Sequence, residues 1–198
     1  MKYPRTLFPA LSLLASAAVN AHPIAVPGTE GLSVPAGSNP VIAKYEGNSA
    51  GFSNDLYLEL DGSGSPGMDG NTSNDLFIFN NHASIVGSTV NLGTFTAGTE
   101  LVFRLHVNNT GDDFFTGPGS RNADGLPHAR VQANWLPSTT LVSFEDLLNL
   151  PEGASGYNDL SFSFENTTAT TVPDGGSGVL CLGAAISAFA ASRMRRRA

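Results

Sequence analysis

Between Val41 and Phe164 the chain breaks into short runs in which apolar and polar residues alternate. Leu56–Leu60, Leu76–Phe79, Thr89–Leu92, Leu101–Val107, Arg130–Ala133, Thr140–Phe144 and Leu160–Phe164 are strand-like, and most carry the two-residue period of a strand with one covered face. In Leu101–Val107 this period puts Phe103, Leu105 and Val107 on one face and Arg104 and His106 on the other. Clusters of Gly, Asn, Asp, Pro and Ser separate the runs, and the 22 Gly and 12 Pro of the 198 residues supply the turns that so many short strands need. Only Glu145–Leu150 predicts a short helix. Strands of this length at regular spacing predict an all-β domain, an antiparallel β-sandwich or jelly roll, over residues 41–168. Residues 22–40, rich in Pro, Gly, Ser and Ala, predict an extended leader, and 169–178 a linker. Asn54-Asp55-Leu56, Asn74-Asp75-Leu76 and Asn158-Asp159-Leu160 each lead into a run, as Asn and Asp do when they stabilise the turn before a strand.

The two ends follow different patterns. Lys2 and Arg5 precede an apolar stretch from Leu7 to Val19, which closes on the small-residue site Val19-Asn20-Ala21. That order is the order of a secretory signal, so residues 1–21 predict a signal peptide removed by signal peptidase after Ala21. The stretch is shorter than the roughly 20 apolar residues a bilayer span requires. At the other end, Val172-Pro173-Asp174-Gly175-Gly176-Ser177 is polar and turn-prone. Residues 179–191 are then apolar except for Ser187, and Arg193, Arg195, Arg196 and Arg197 follow. Apolar on every face and ended by arginines, residues 179–198 predict a short transmembrane helix that stops with its basic end inside. Such a helix is brief for a span and must draw in Gly175–Gly178 or thin the bilayer. This order of motif, helix and Arg cluster resembles the PEP-CTERM class of bacterial sorting tails, and residues 172–177 look like its VPDSG-CTERM variant, with Gly175 where that variant has Ser. The resemblance implies a Gram-negative-type bacterium that makes exopolysaccharide. It also implies a precursor anchored in the inner membrane, processing by an exosortase, and delivery to the cell surface or extracellular matrix.

Charge sharpens the picture of the part between the ends. Of the ten Lys and Arg, only Lys44, Arg104, Arg121 and Arg130 lie there, against all 17 Asp and Glu, a net charge of −13. Such a domain repels nucleic acid and anionic lipid, which excludes nucleic acid as a partner, and it attracts cations. The lone Cys181 falls in the tail helix, where it reads as an ordinary small residue, so the exported domain has no disulfide.

Candidate chemistry concentrates in Phe144-Glu145-Asp146-Leu147, then Gly153, then Gly156-Tyr157-Asn158-Asp159-Leu160. If the loop folds back, Glu145, Asp146, Asn158 and Asp159 offer the hard oxygens that Ca2+ collects, six to eight in number. The same residues resemble a bacterial domain of unknown function marked by FEDL and then by DYNDL after a Gly-Asp-rich loop. Gly93–Phe103, Asn122-Ala123-Asp124 and His128-Ala129 also look like members that carry sorting tails. The resemblance spans roughly Tyr45–Phe164 and departs at Ala154, Ser155 and Gly156, which stand where acidic residues are usual. Asp112, Asp113, Asn122 and Asp124 make a second oxygen-rich loop. His82, His106 and His128 lack a metal spacing, and no Gly-x-Ser-x-Gly elbow or phosphate loop occurs. The expectation is a non-enzymatic surface or matrix protein that associates with exopolysaccharide and binds calcium. The alternative is an extracellular glycan-active hydrolase with Glu145 and Asp159 as its paired carboxylates. A cleft flanked by two carboxylates about 5–10 Å apart would point to the hydrolase. Acids gathered in one loop of a closed sandwich would point to the binding role.

Overall fold

A computed structural model of the chain describes residues 21–150 and 156–171. Residues 1–20 of the signal peptide, the sorting motif at 172–177, the apolar tail with Arg193, Arg195, Arg196 and Arg197, and Gly153 with its neighbours lie outside the described residues. No helix among the described residues is long and apolar enough to cross a membrane.

The described chain is all-β. Its strands are β1 (Thr29–Glu30), β2 (Leu32–Pro35), β3 (Val41–Asn48), β4 (Asn54–Leu58), β5 (Leu76–Asn80), β6 (Thr89–Gly93), β7 (Glu100–Leu101), β8 (Phe103–Val107), β9 (Asp113–Phe115), β10 (Ala129–Leu136), β11 (Thr139–Phe144), β12 (Leu160–Glu165) and β13 (Thr170–Thr171). They form a six-stranded sheet in the order β1-β10-β11-β12-β3-β6, a four-stranded sheet β5-β4-β8-β9 and a three-stranded sheet β13-β2-β7. Every pairing is antiparallel. All seven strand-like runs of the sequence are strands.

Alternation decides what each strand covers. Val41, Ala43 and Tyr45 of β3, Val142 and Phe144 of β11, and Leu160, Phe162 and Phe164 of β12 share one inner face; Leu56 and Leu58 of β4 and Phe103, Leu105 and Val107 of β8 share the facing one. Aromatic rings join these two layers. Phe103 stacks on Phe164 with centroids 4.0 Å apart, and Phe79 lies 6.0 Å from both Phe162 and Tyr45. Each buried ring removes a large apolar area from water, so this seam carries much of the folding free energy.

Two expectations change. The leader is extended but not loose: it supplies β1, which pairs with β10, and β2, which pairs with β7 and β13. Ala25 is fully buried and its N–H donates to Ser143 Oγ at 2.8 Å, on the outer face of the six-stranded sheet. The short helix expected at Glu145–Leu150 is absent. The chain leaves β11 extended and makes a single turn, Leu150 N–H to Leu147 O at 3.2 Å, with Asn149 and Leu150 at φ 65° and 48°. Pro151 disfavours helical backbone at the residue before it.

On the outer face of the four-stranded sheet, Phe77, Tyr57, Arg104 and Phe115 lie opposite one another across all four strands. Arg104 is opposite the core as the sequence predicts, yet only 3 % exposed. Its guanidinium bonds Glu59 at 2.6 Å, Asp75 at 2.8 Å and Asp113 at 2.8 Å, and lies 4.4 Å from the centroid of the Tyr57 ring. His106 Nδ1 is 2.9 Å from the same Asp113 oxygen. One cation thus serves three carboxylates. Burial first, and then the shared hydrogen bond with Asp75, push Glu59 up to about 7, against the pull of Arg104.

Because Glu59 binds its proton more tightly folded than unfolded, its contribution to stability is full below its ordinary value of 4.5 and is lost as pH rises to about 7. Melting temperature should therefore decline between pH 5 and 7.5, and Glu59→Gln, which keeps the neutral form, should flatten that decline. Thermal melts by circular dichroism across this range are the check; a slope unchanged by the substitution would assign the decline elsewhere.

Candidate functional site

The hairpin register builds the site. Phe144 at the end of β11 pairs with Leu160 at the start of β12, so the two acidic segments emerge side by side at one end of the sheet. Asp159 N–H donates to Phe144 O at 3.2 Å, and Asp146 N–H donates to Asp159 Oδ2 at 2.9 Å. Glu145, Asp146 and Asp159 are 0 %, 4 % and 6 % exposed, and one carboxylate oxygen from each lies within 4.8 Å of the other two. Of the four residues the sequence proposes, three converge. Asn158, next to Asp159 in the chain, donates from Nδ2 to Ser49 Oγ at 3.1 Å, and its Oδ1 is buried without a hydrogen-bond donor.

Neighbouring elements hold this group in place. Tyr157, in the left-handed region at φ 72°, donates its N–H to Glu145 Oε2 at 3.3 Å and its hydroxyl to Pro127 O at 2.8 Å. Arg130 covers the Tyr157 ring, 4.6 Å from its centroid. His128 is fully buried and stacks on Phe114 with centroids 3.8 Å apart. Its ring nitrogens face two acceptors, Glu145 O at 3.1 Å and Asp124 Oδ2 at 2.9 Å. From the opposite sheet, Asn54 at the start of β4 reaches Asp146 Oδ2 with its Nδ2 at 2.7 Å.

The spacing has a chemical meaning. Oxygens on opposite sides of a calcium ion are about 4.6–5.2 Å apart, twice the usual Ca–O distance, and adjacent ones are closer. Three buried carboxylates inside that span fit one calcium coordination sphere. Magnesium, at about 2.0–2.1 Å from each oxygen, demands a near-ideal octahedron and gives up its waters reluctantly. Buried like charges raise one another's energy, and a divalent cation at their centre relieves it.

The second oxygen-rich loop does not gather. Asp113 belongs to Arg104 and His106, Asn122 bonds Phe115 N–H and Leu126 O, and Asp124 bonds His128. The proposed hydrolytic pair, Glu145 and Asp159, is buried. A cleft of about 280 Å3 elsewhere is lined only by Gly, Ser, Thr and Asn, among them Asn39, Asn134 and Asn166. Sequence reasoning missed two contributors. Asn54 is noted in the sequence only for turn chemistry, and 92 residues separate it from Asp146. His128 and Asp124 are four apart, a spacing that hints at a local pair but says nothing of Glu145.

No protein-family model, no curated protein and no solved structure matches the chain.

Asp124 yields a test of the support around the site. Burial opposes its ionisation, but hydrogen bonds from His128 and from the N–H groups of Leu126 and Asn149 outweigh that and hold it below the usual carboxylate range. Its stabilising effect is present above the ordinary value of 3.8 and is lost as pH falls through the depressed folded value. Asp124→Asn should cost about 1–3 kcal/mol at pH 7, the worth of hydrogen bonds to a charged group. It should also make acid unfolding between pH 5 and 2 less steep, as read by urea titrations at each pH.

Proposed function

We propose that this chain is an exported, non-enzymatic cell-surface or extracellular-matrix protein of a Gram-negative-type bacterium, associated with exopolysaccharide, whose β-sandwich domain of jelly-roll type is stabilised by calcium held by Glu145, Asp146 and Asp159. The observation that carries the calcium reading is the convergence of three buried carboxylate oxygens within 4.8 Å of one another. Export rests on the sequence of residues 1–21, and sorting by an exosortase on residues 172–198. Ala25, docked on Ser143 four residues beyond the cleavage site, is consistent with a mature chain that starts at His22. The burial of Glu145 and Asp159 and the uncharged lining of the polar cleft favour a binding role over glycoside hydrolysis, which needs two carboxylates facing a substrate.

Calcium that binds only the folded state adds RT ln(1 + [L]/Kd), about 2.7 kcal/mol at 100 times Kd, which raises the melting temperature of a domain this size by roughly 5–10 °C. The full chain, purified in detergent micelles, should show that rise in millimolar calcium relative to EDTA, and a smaller one in magnesium. Asp159→Ala should remove the calcium response. Superimposed melts of the unmodified protein would leave the three acids as structural residues.

Sorting is tested separately. Replacing Arg193, Arg195, Arg196 and Arg197 with neutral residues should weaken retention of the precursor in the inner membrane, because a basic end resists translocation. Membrane fractionation that finds the same amount of bound precursor would defeat the stop-transfer reading.

A further inference from the structure

We propose that Asn54 is a further oxygen ligand of the cation held by Glu145, Asp146 and Asp159, and that the ion thereby staples the two facing sheets to each other. The inference rests on the calcium reading of the triad and adds to it a residue from the opposite layer.

Asn54 opens β4 in the four-stranded sheet, whereas the triad sits at the β11–β12 end of the six-stranded sheet. Its side chain is fully buried. Nδ2 donates to Asp146 Oδ2 at 2.7 Å, so the amide stands directly against the carboxylates. Oδ1 of the same amide is buried and accepts no hydrogen bond. A buried carbonyl oxygen without a donor is costly and calls for an explanation. The two ends of a primary amide have nearly the same shape, so half a turn about the last side-chain torsion exchanges donor for acceptor in one position. Without an ion, the nitrogen end is the favourable one to present to Asp146. With a cation among the carboxylates, an N–H aimed at it is repelled, and the oxygen end becomes a neutral hard ligand of the kind calcium takes from Asn. The buried oxygen then gains a partner, in exchange for the bond from Nδ2 to Asp146 Oδ2 and its long contact with Phe52 O at 3.5 Å.

The backbone leaves this torsion as the freedom that remains. Asn54 N–H donates to Asn81 Oδ1 at 2.8 Å, its carbonyl accepts from Asn81 N–H at 3.0 Å, and the residue is in register with Val107 of β8. Asn81 in turn donates from Nδ2 to Phe52 O at 2.9 Å. A ligand so anchored cannot follow the ion if the sheets separate, and this rigidity is what makes the contact a staple.

Calcium itself is the probe, titrated calorimetrically into the full chain in micelles for the unmodified protein, Asn54→Asp and Asn54→Leu. Affinity in such sites follows the number of charged ligands. Asn54→Asp should bind calcium at least about tenfold more tightly while melting lower in EDTA, where a fourth carboxylate has no ion to meet. Asn54→Leu, which offers no oxygen, should bind about tenfold or more weakly. Hydrogen exchange on the unmodified protein needs no variant to fold: calcium should slow exchange at the amides of Asn54 and Asn81 as well as at Asp146. Unchanged affinity in both variants, or protection confined to residues 145–146 and 159, would overturn the role of Asn54 while leaving the triad as a calcium site. Absence of calcium binding by the unmodified protein would overturn both.

Discussion

The register of β12 between β11 and β3 is the constraint on which the rest depends. Phe162 and Phe164 must face inward to meet Phe79 and Phe103, and this pairs Phe164 with Thr140 on one side and with Ala43 on the other. A slip of one residue would turn Phe162 and Phe164 outward and leave the facing layer without its partners. The same register places Leu160 opposite Phe144, and so sets Glu145 and Asp146 beside Asp159. Aromatic packing in the core thus fixes the geometry of a polar cluster at the end of the sheet.

A domain rich in acids and poor in bases has to dispose of carboxylates that its fold buries. It does so twice with groups of three. Around Arg104, a guanidinium with several donors holds Glu59, Asp75 and Asp113 in separate directions, and Tyr57 covers its face. At the head of the β11–β12 hairpin, backbone N–H groups and the Asn54 amide meet Glu145, Asp146 and Asp159, whose oxygens point toward one another. The first arrangement centres on a cation of the chain itself, whereas the second has the spacing of a calcium sphere. That difference, more than acidity itself, separates a structural ion cluster from a candidate metal site.

Polar groups also tie the leader to the domain. Ser143 and Ser161 share a hydrogen bond at 2.8 Å on the outer face of the six-stranded sheet, and Ser143 accepts from Ala25 N–H. Serines at the outward positions of β11 and β12 read as solvent-facing in the alternating pattern, yet they are buried here. The leader's backbone needs acceptors wherever it is removed from water, and these hydroxyls supply one.

What the sequence by itself determined is local. Seven strand-like runs located β4–β8 and β10–β12, and the period of two in Leu101–Val107 gave that run's inner face, because alternate side chains of a strand point to opposite sides whatever lies beyond them. The sequence also placed Glu145, Asp146 and Asp159 together, since they flank the two strands of one hairpin. β1, β2, β3, β9 and β13 lie outside those runs, and all but β3 are too short, at two to four residues, to display a period. The helix expected at Glu145–Leu150 failed because the left-handed backbone at Asn149 and Leu150, just before Pro151, overrode a weak local preference. Only the tertiary structure decided that Asn54 meets Asp146, that His128 backs Glu145, and that Arg104 gathers Glu59, Asp75 and Asp113. Those contacts join different strands and loops, from nine residues apart for Arg104 and Asp113 to 92 for Asn54 and Asp146. They exist because the packing of two aromatic layers brings the segments together, and no periodicity along the chain encodes which polar residue will face which.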